Sequence, residues 1–425
     1  MILVREWRGF YVIDSFRTRM NRSRVLVVAL LCCLAPIAGV SAVVGTADEP
    51  ASTPVVEGDG TAEYLAIPPD ELDSDGFERG ELDVATAIAS DGAELRSEFT
   101  ATALRTELRT AETDEERRDT LRRAAERTAD RIETLETRER AAVTEYSDGE
   151  ADGTELLRTL SAVDAESEAL LSIVREMHSA HVQLEDSPLS ERELATQRAR
   201  LDPLSGPVRG EIRTATSGEQ PIRLYVETRN DEIVLATVDR QDRFVREAHL
   251  RGSNELDGED QLGFDGAEER FEELYPWIAE ENTGLNTWVV GGQPYLHHTG
   301  VYAVSAAHHH GFGSPDDLTT YISGATTDVF YETQQLDPEA LPDRSLVSED
   351  DGLELRLNWT RGGGPMGAEV VDAETEEPLD ATIEINDERI GTTSGDRLWF
   401  VAPRGTVHVT VTHEDRTLET QITTR

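Results

Sequence analysis

No lysine occurs in the 425 residues: all 40 basic residues are arginine, set against 85 acidic ones, for a formal charge of −45. Such a field repels phosphate backbones and no local basic patch interrupts it, so the composition excludes nucleic acid as a partner. In dilute salt the same field would work against the compact state. Molar salt cuts the Debye length to about 3 Å, so the composition predicts a halophilic chain coated with hydrated carboxylates. Cysteine is nearly absent as well. Cys32 and Cys33 both sit in one apolar run, and none occurs after residue 42, which removes disulfides, thiolate metal sites and cysteine nucleophiles from the rest of the chain. Nucleophile elbow, phosphate loop, dinucleotide fingerprint and kinase signature are all missing, and His413-Glu414 has Thr417 where a zinc-protease helix would place its second histidine. Among so many acids, however, a catalytic carboxylate pair would be invisible.

Residues 25–45 are 21 positions without a charge, just past the length that spans a hydrocarbon core. Six arginines precede them (Arg5, Arg8, Arg17, Arg19, Arg22, Arg24) and the next is Arg79, an asymmetry that keeps the N-terminus inside and exports the chain beyond the run. Pro36 and Gly39 interrupt the run, and Val40-Ser41-Ala42 fits a signal-peptidase site. The expectation for 1–45 is an N-terminal extension and then a signal peptide or membrane anchor, with Met20 the expected start. Anchored by 25–45, the chain would sit on the extracellular face of the cell membrane; cleaved after Ala42, it would be secreted. Leu31 stands where a lipobox has Gly or Ala, so no lipid is expected.

The expected fold is multidomain α+β. Residues 46–80 have the acid-, Gly- and Pro-rich composition of a disordered linker. Over 81–202 the period is helical. Leu121, Ala125, Thr128, Ile132, Leu135, Glu139, Ala142 and Tyr146 alternate at spacings of four and three, with Glu139 the one blemish. Leu156, Leu160, Val163, Ser167, Leu170, Val174, Met177, His181 and Leu184 repeat the pattern after a short Gly-containing break. These seams predict an antiparallel α-helical hairpin or small coiled-coil bundle, preceded by a weaker helix patterned on Val84, Ile88, Leu95, Phe99 and Ala103. Period two takes over across 203–336, an α+β domain with strands at 222–227, 232–238, 243–250, 287–290, 301–307, 318–323 and 327–334 and a helix at 266–281. A second linker is expected at 337–352. Over 353–425 short strands at regular spacing predict an Ig-like β-sandwich; the Arg361-Gly362-Gly363-Gly364-Pro365 loop within it precedes no helix and is therefore not read as a phosphate loop.

The run Val370-Val371-Asp372-Ala373-Glu374-Thr375, with Pro378-Leu379, Ala381-Thr382-Ile383, Gly391-Thr392-Thr393 and Pro403-Arg404-Gly405, resembles the carboxypeptidase-regulatory-like, transthyretin-like sandwiches of exported proteins. That resemblance implies a structural or adhesive module without catalytic residues. Tyr302-Ala303-Val304, Leu318-Thr319-Thr320-Tyr321 and Gly324-Ala325-Thr326-Thr327-Asp328-Val329-Phe330 resemble the PepSY module, some members of which restrain peptidases. As a whole, the order of elements resembles haloarchaeal envelope proteins assembled from domains of unknown function.

Five of the ten histidines fall at His297, His298, His308, His309 and His310. His308 and His310 would share a strand face, and His297 or His298, with Asp316 or Asp317 nearby, could complete a three-nitrogen zinc site; the metal-dependent hydrolase alternative centres on His297, His308 and His310. The simpler alternative is an exposed hairpin tip, since glycines and Pro315 come directly after. His178 and His181, three apart on the second seam, could also share a metal, though a tolerated polar seam position is the simpler account. The leading expectation is thus a non-enzymatic envelope protein with no cofactor, whose partners are other envelope proteins or, on the PepSY resemblance, a secreted peptidase. Oligomeric state stays open, because the seams could pair within the chain or with a partner helix. Substituting Ala for His308 and His310 together is expected to leave zinc retention in molar salt unchanged; loss of zinc would establish the site.

Overall fold

The structure, a computed structural model, describes residues 55–58, 61–255, 258–276, 285–289, 300–308, 316–341 and 344–424. The 25–45 run lies outside them, and no helix among the described residues is long and apolar enough to cross a membrane.

Three long helices, α1 (Val84–Thr110), α2 (Asp114–Ser147) and α3 (Gly153–Gln183), are succeeded by the shorter α4 (Glu191–Leu201) and α5 (Pro207–Thr216). Thr113 caps α2 by accepting from the Glu116 N–H, and Asp152 caps α3 by accepting from Glu155. Between α2 and α3 the chain turns at Gly149, whose φ of +72° suits a residue without Cβ. Every seam position from Leu121 to Tyr146 and from Leu156 to Met177 is buried. Their partners differ along the helices, which sets this packing apart from a two-helix coiled coil. The first half of α2 and the second half of α3 pack with α1 and α4 around Leu121, Ile132, Leu170, Met177 and Leu194. The other ends, at Val143, Tyr146, Leu156 and Leu160, rest on α5 and a β-sheet.

That sheet has eight antiparallel strands in the order β3(Ser74–Gly80), β4(Ile222–Arg229), β5(Glu232–Val238), β6(Phe244–His249), β10(Val329–Leu336), β9(Asp316–Ser323), β8(Val301–His308), β7(Leu285–Val289). The β4–β5 hairpin turns at Asn230, whose φ of +52° suits the Asn-Asp pair. Alternation then sends Ile233 and Leu235 of β5 to the helices and Val234 and Ala236 to the opposite face. On that face lie Leu65, Ile67 and α6 (Gly263–Leu274), together with the C-terminal sandwich, which reaches Tyr225 and Phe244 through Val401.

The sandwich faces β11(Arg344–Asp350), β12(Leu353–Trp359), β13(Pro365–Asp372) and β16(Leu398–Val401) against β15(Glu388–Thr392), β14(Thr382–Ile385), β17(Gly405–His413) and β18(Arg416–Thr424). Leu355, Leu357, Ile383, Val407, Val409 and Val411 fill the space between the two sheets.

Both expected linkers are corrected by this architecture. Within 46–80, β1(Val55–Gly58) pairs with β2(Thr61–Leu65), Tyr64 to Ile67 are buried, and Ser74–Gly80 is an edge strand along β4. Its polar composition cannot fold alone, but the open backbone edge of β4 supplies the hydrogen bonds that its side chains do not. Within 337–352, Arg344–Asp350 pairs with β12 along its whole length. Residues 50–425 form one compact unit rather than domains on tethers.

The glycine loop after β12 lies at the joint between sheet and sandwich. Gly363 (φ +77°) donates to the Ala402 carbonyl at 2.7 Å, and a Cβ at Gly362 would meet the Arg404 Cα at 2.9 Å. This close approach lets Arg404 grip the buried Glu227 of β4 with two nitrogens, at 2.5 and 3.0 Å. Arg404→Ala would strand that carboxylate in a dry joint, at a cost of about 3 kcal/mol. Calorimetry in molar salt is expected to resolve a separate sandwich transition in this variant and a single one in the parent.

Candidate interaction surface

Two sets of buried ions hold the sheet between its covering layers. On the helix side, Arg209 of α5 is wholly buried. Its Nη2 lies 2.5 Å from Glu139 of α2, its Nε 2.8 Å from Glu247 of β6, and its Nη1 donates to the Pro203 carbonyl at 2.7 Å. Arg251 takes the other Glu139 oxygen. The seam blemish is therefore the carboxylate that ties α2 to α5 and the sheet. Burial alone would lower the Arg209 pKa, yet Glu139 and Glu247 hold it above the ordinary guanidinium value. Burial raises the Glu247 carboxyl, while Arg209 and the N–H groups at the start of α5 pull it down. A Cβ at Gly206 would collide with a Glu247 oxygen, so glycine is needed where this strand and helix meet. Burial, with Arg251 and Arg209 beside it, pushes His249 well below the usual imidazole range. On the opposite face Arg246 pairs with the fully buried Glu332 at 3.0 Å. Glu332 also accepts from the Leu65 N–H (2.8 Å) and the Tyr275 hydroxyl (2.6 Å). Burial raises its pKa to about 7 against the lowering by Arg246.

Outside this frame, α1 is held on α3 and presents the candidate surface. At its start Asp83 accepts from the Thr86 N–H at 2.8 Å and from Arg158 of α3 at 2.7 Å. Both contacts, the Thr86 N–H foremost, hold the Asp83 carboxyl below its usual range. Further along, Arg105 pairs with Glu176 of α3 at 2.9 Å. Thr86, Ser90, Ala93, Ala101 and Leu104 face inward and are buried. Val84, Ile88, Leu95 and Phe99 are 62, 68, 64 and 77 % exposed. Hence the residues that patterned this helix in the sequence, the small Ala103 among them, lie on its outward face. Four large apolar side chains on one open helix face make a surface of the kind that marks an interaction site. A recess of about 950 Å³ between α1, α3 and α5 has a mostly polar lining in which Arg105 is taken by Glu176 and Arg213 by Glu168, the latter at 2.7 Å, so the apolar face is the stronger candidate.

The histidine site is not assembled among the described residues. His308 ends β8 opposite Asp316, while His297 and His310 lie outside the described residues. The rings of His178 and His181 lie 6.3 Å apart, and no group of three His, Cys, Asp or Glu able to hold a metal occurs among the described residues. Tyr302 is fully buried and Tyr321 packs at 5.1 Å on Tyr331, as core positions should. Arg209 and Glu247, which carry the frame, have no signature in the sequence; a lone Arg shortly after a Gly-Pro pair offers no periodic signal.

Three family models match the chain in succession. Residues 20–221 match a domain of unknown function (DUF7096), residues 224–342 a family of unknown function (DUF7094), and residues 344–420 an archaeal fibronectin-III type-like domain. No curated protein and no solved structure matches. The sandwich expectation thus holds at the level of architecture, with the matching type archaeal fibronectin-III-like. The set fits a structural or interaction module.

Asp164 on α3 is buried, with Arg213 3.4 Å away, and burial raises its pKa from 3.8 to about 7. A carboxyl raised on folding contributes fully below its unfolded value and loses that contribution as pH climbs through the folded one, by up to about 1.4 kcal/mol per pH unit. Asp164→Asn removes the charge while Arg213 keeps Glu168. The variant is therefore expected to melt above the parent at pH 8, with the margin closing as pH falls through 7 toward 4.

Proposed function

We propose that this chain is a non-enzymatic structural or interaction module of the cell envelope. Residues 25–45 export it and either hold it at the outer face of the membrane or are removed after Ala42. Its partners are envelope proteins, and it acts without a cofactor. One observation carries the interaction reading: the outward face of α1 exposes Val84, Ile88, Leu95 and Phe99 while the opposite face is packed and ion-paired to α3. In molar salt the apolar contribution to association is strengthened and long-range charge repulsion is screened, so such a face suits a protein whose remaining surface is carboxylate. The sandwich and the ionic frame supply rigidity, which lowers the ordering cost of docking.

The test is Leu95→Arg combined with Phe99→Arg. Both positions are exposed, so stability is expected to stay within about 0.5 kcal/mol of the parent, while co-purification with envelope proteins in molar salt is lost. Protease added outside intact cells is expected to degrade the chain. Undiminished co-purification would end the interaction reading, and protection from protease would end the export reading.

A further inference from the structure

We infer that the occupant of the α1 face is a second copy of this chain, laid antiparallel across it about a two-fold axis between Asp91 and Gly92. The inference rests on the proposed interaction role and names its partner. The large apolar positions Val84, Ile88, Leu95 and Phe99 are separated by four, seven and four residues, a series that reads the same from either end, with only the small Ala103 exposed beyond it. All four project from one side of the helix, opposite the buried Thr86, Ser90, Ala93, Ala101 and Leu104.

A copy turned end for end therefore sets Ile88 against Leu95 of the partner subunit and Val84 against Phe99 of the partner subunit, with the same two contacts repeated beyond the axis. This is the self-complementarity that a closed two-fold pair requires. It also evens out the contact, since the smallest side chain meets the largest and the two of middle size meet each other. A parallel copy would stack Phe99 on Phe99 and Val84 on Val84, wedging the helices apart at one end.

The middle of the series is where two helices crossing at this point come closest, and Gly92 stands there. A Cβ at that position would meet only the end of the Arg96 side chain, at 3.3 Å, so nothing of the helix's own fold requires glycine. At the axis, glycine gives the partner backbone room. Contact extends about 22 Å along the helix at 1.5 Å per residue.

Charge opposes the pairing, through the net −45 of each copy and most locally at the axis, and makes it conditional. Asp91, exposed at the edge of the face, brings a carboxylate from each copy to the axis. At about 0.1 M salt, with a Debye length near 10 Å, these repel; at about 1 M, where it is near 3 Å, the repulsion is short-ranged and the apolar contact prevails. The pair is thus assembled by salt, the reverse of an association driven by opposite charges.

The experiment uses the full chain with Cys32→Ser and Cys33→Ser, in molar KCl. Ile88→Cys and Leu95→Cys forms are oxidised separately and as a mixture. A disulfide-linked dimer is expected from the mixture and from neither form alone, because two copies of residue 88 would lie about 10 Å apart along the helices. Sedimentation equilibrium is expected to give a dimer for the parent, a monomer for Leu95→Arg with Phe99→Arg, and a tighter dimer for Asp91→Asn. The last comparison is made at KCl concentrations where circular dichroism shows both forms folded. Cross-linking by Ile88→Cys alone would overturn the antiparallel pairing. A monomeric parent at every concentration would overturn the second copy, as would parent chains bound to lipid vesicles in place of one another. If the parent is monomeric and the double arginine variant still loses its envelope partners, the interaction reading survives without this inference; if it keeps them, both fail.

Discussion

The burial of one guanidinium between two carboxylates organises this molecule. Arg209 has no exposure to solvent and joins α5 to Glu139 of α2 and Glu247 of β6. Removing any one of the three would leave a charge in a dry interior, where unpaired ions cost several kcal/mol. The constraint reaches outward in both directions. The end of α2 must lie over the sheet for Glu139 to arrive, and α5 must begin where Gly206 lets the Glu247 carboxylate approach. Glu332 and Arg246 repeat the arrangement on the other face, so the sheet is clamped by ions on both sides.

A lysine-free composition makes sense in this setting. Arg209 uses three nitrogens on three separate acceptors, and Arg404 grips Glu227 with two. A planar fork spreads its donors over three nitrogens in a fixed geometry, where an ammonium offers all of its donors from one, and it stays charged when buried. Whatever drives the absence of lysine, the internal ties of the fold use the spread of donors that arginine provides.

Much of the architecture could be read from periodicity, and the failures have particular causes. The seams of α2 and α3 were legible position by position, including the place where Glu139 broke the pattern; the break marked a function the pattern could not express. For α1 the helical spacing identified the apolar face correctly, but periodicity says which residues share a side, not whether that side finds a partner. The inward face is instead held by small residues and by ion pairs at Asp83 and Arg105, which carry no hydrophobic signal. Ser74–Gly80 and Arg344–Asp350 looked like linkers because strands that pair at an edge need backbone groups rather than apolar side chains. The short α5 was hidden behind Gly206-Pro207, a pair that reads as a breaker yet here starts a helix, with proline at its first position.

The chain leaves the sheet at Gly80 and returns at Ile222, and these two residues are direct neighbours across β3 and β4. Everything between them is a single excursion that begins and ends at one spot. Joining strands so distant along the chain carries a closure penalty that grows only with the logarithm of the loop, and five helices built mostly from nearby contacts can condense first and shorten the effective gap. The topology thus makes β3 the strand whose pairing closes the longest excursion between neighbours in this sheet, and the helical layer is the bridge that brings the two ends of that excursion together.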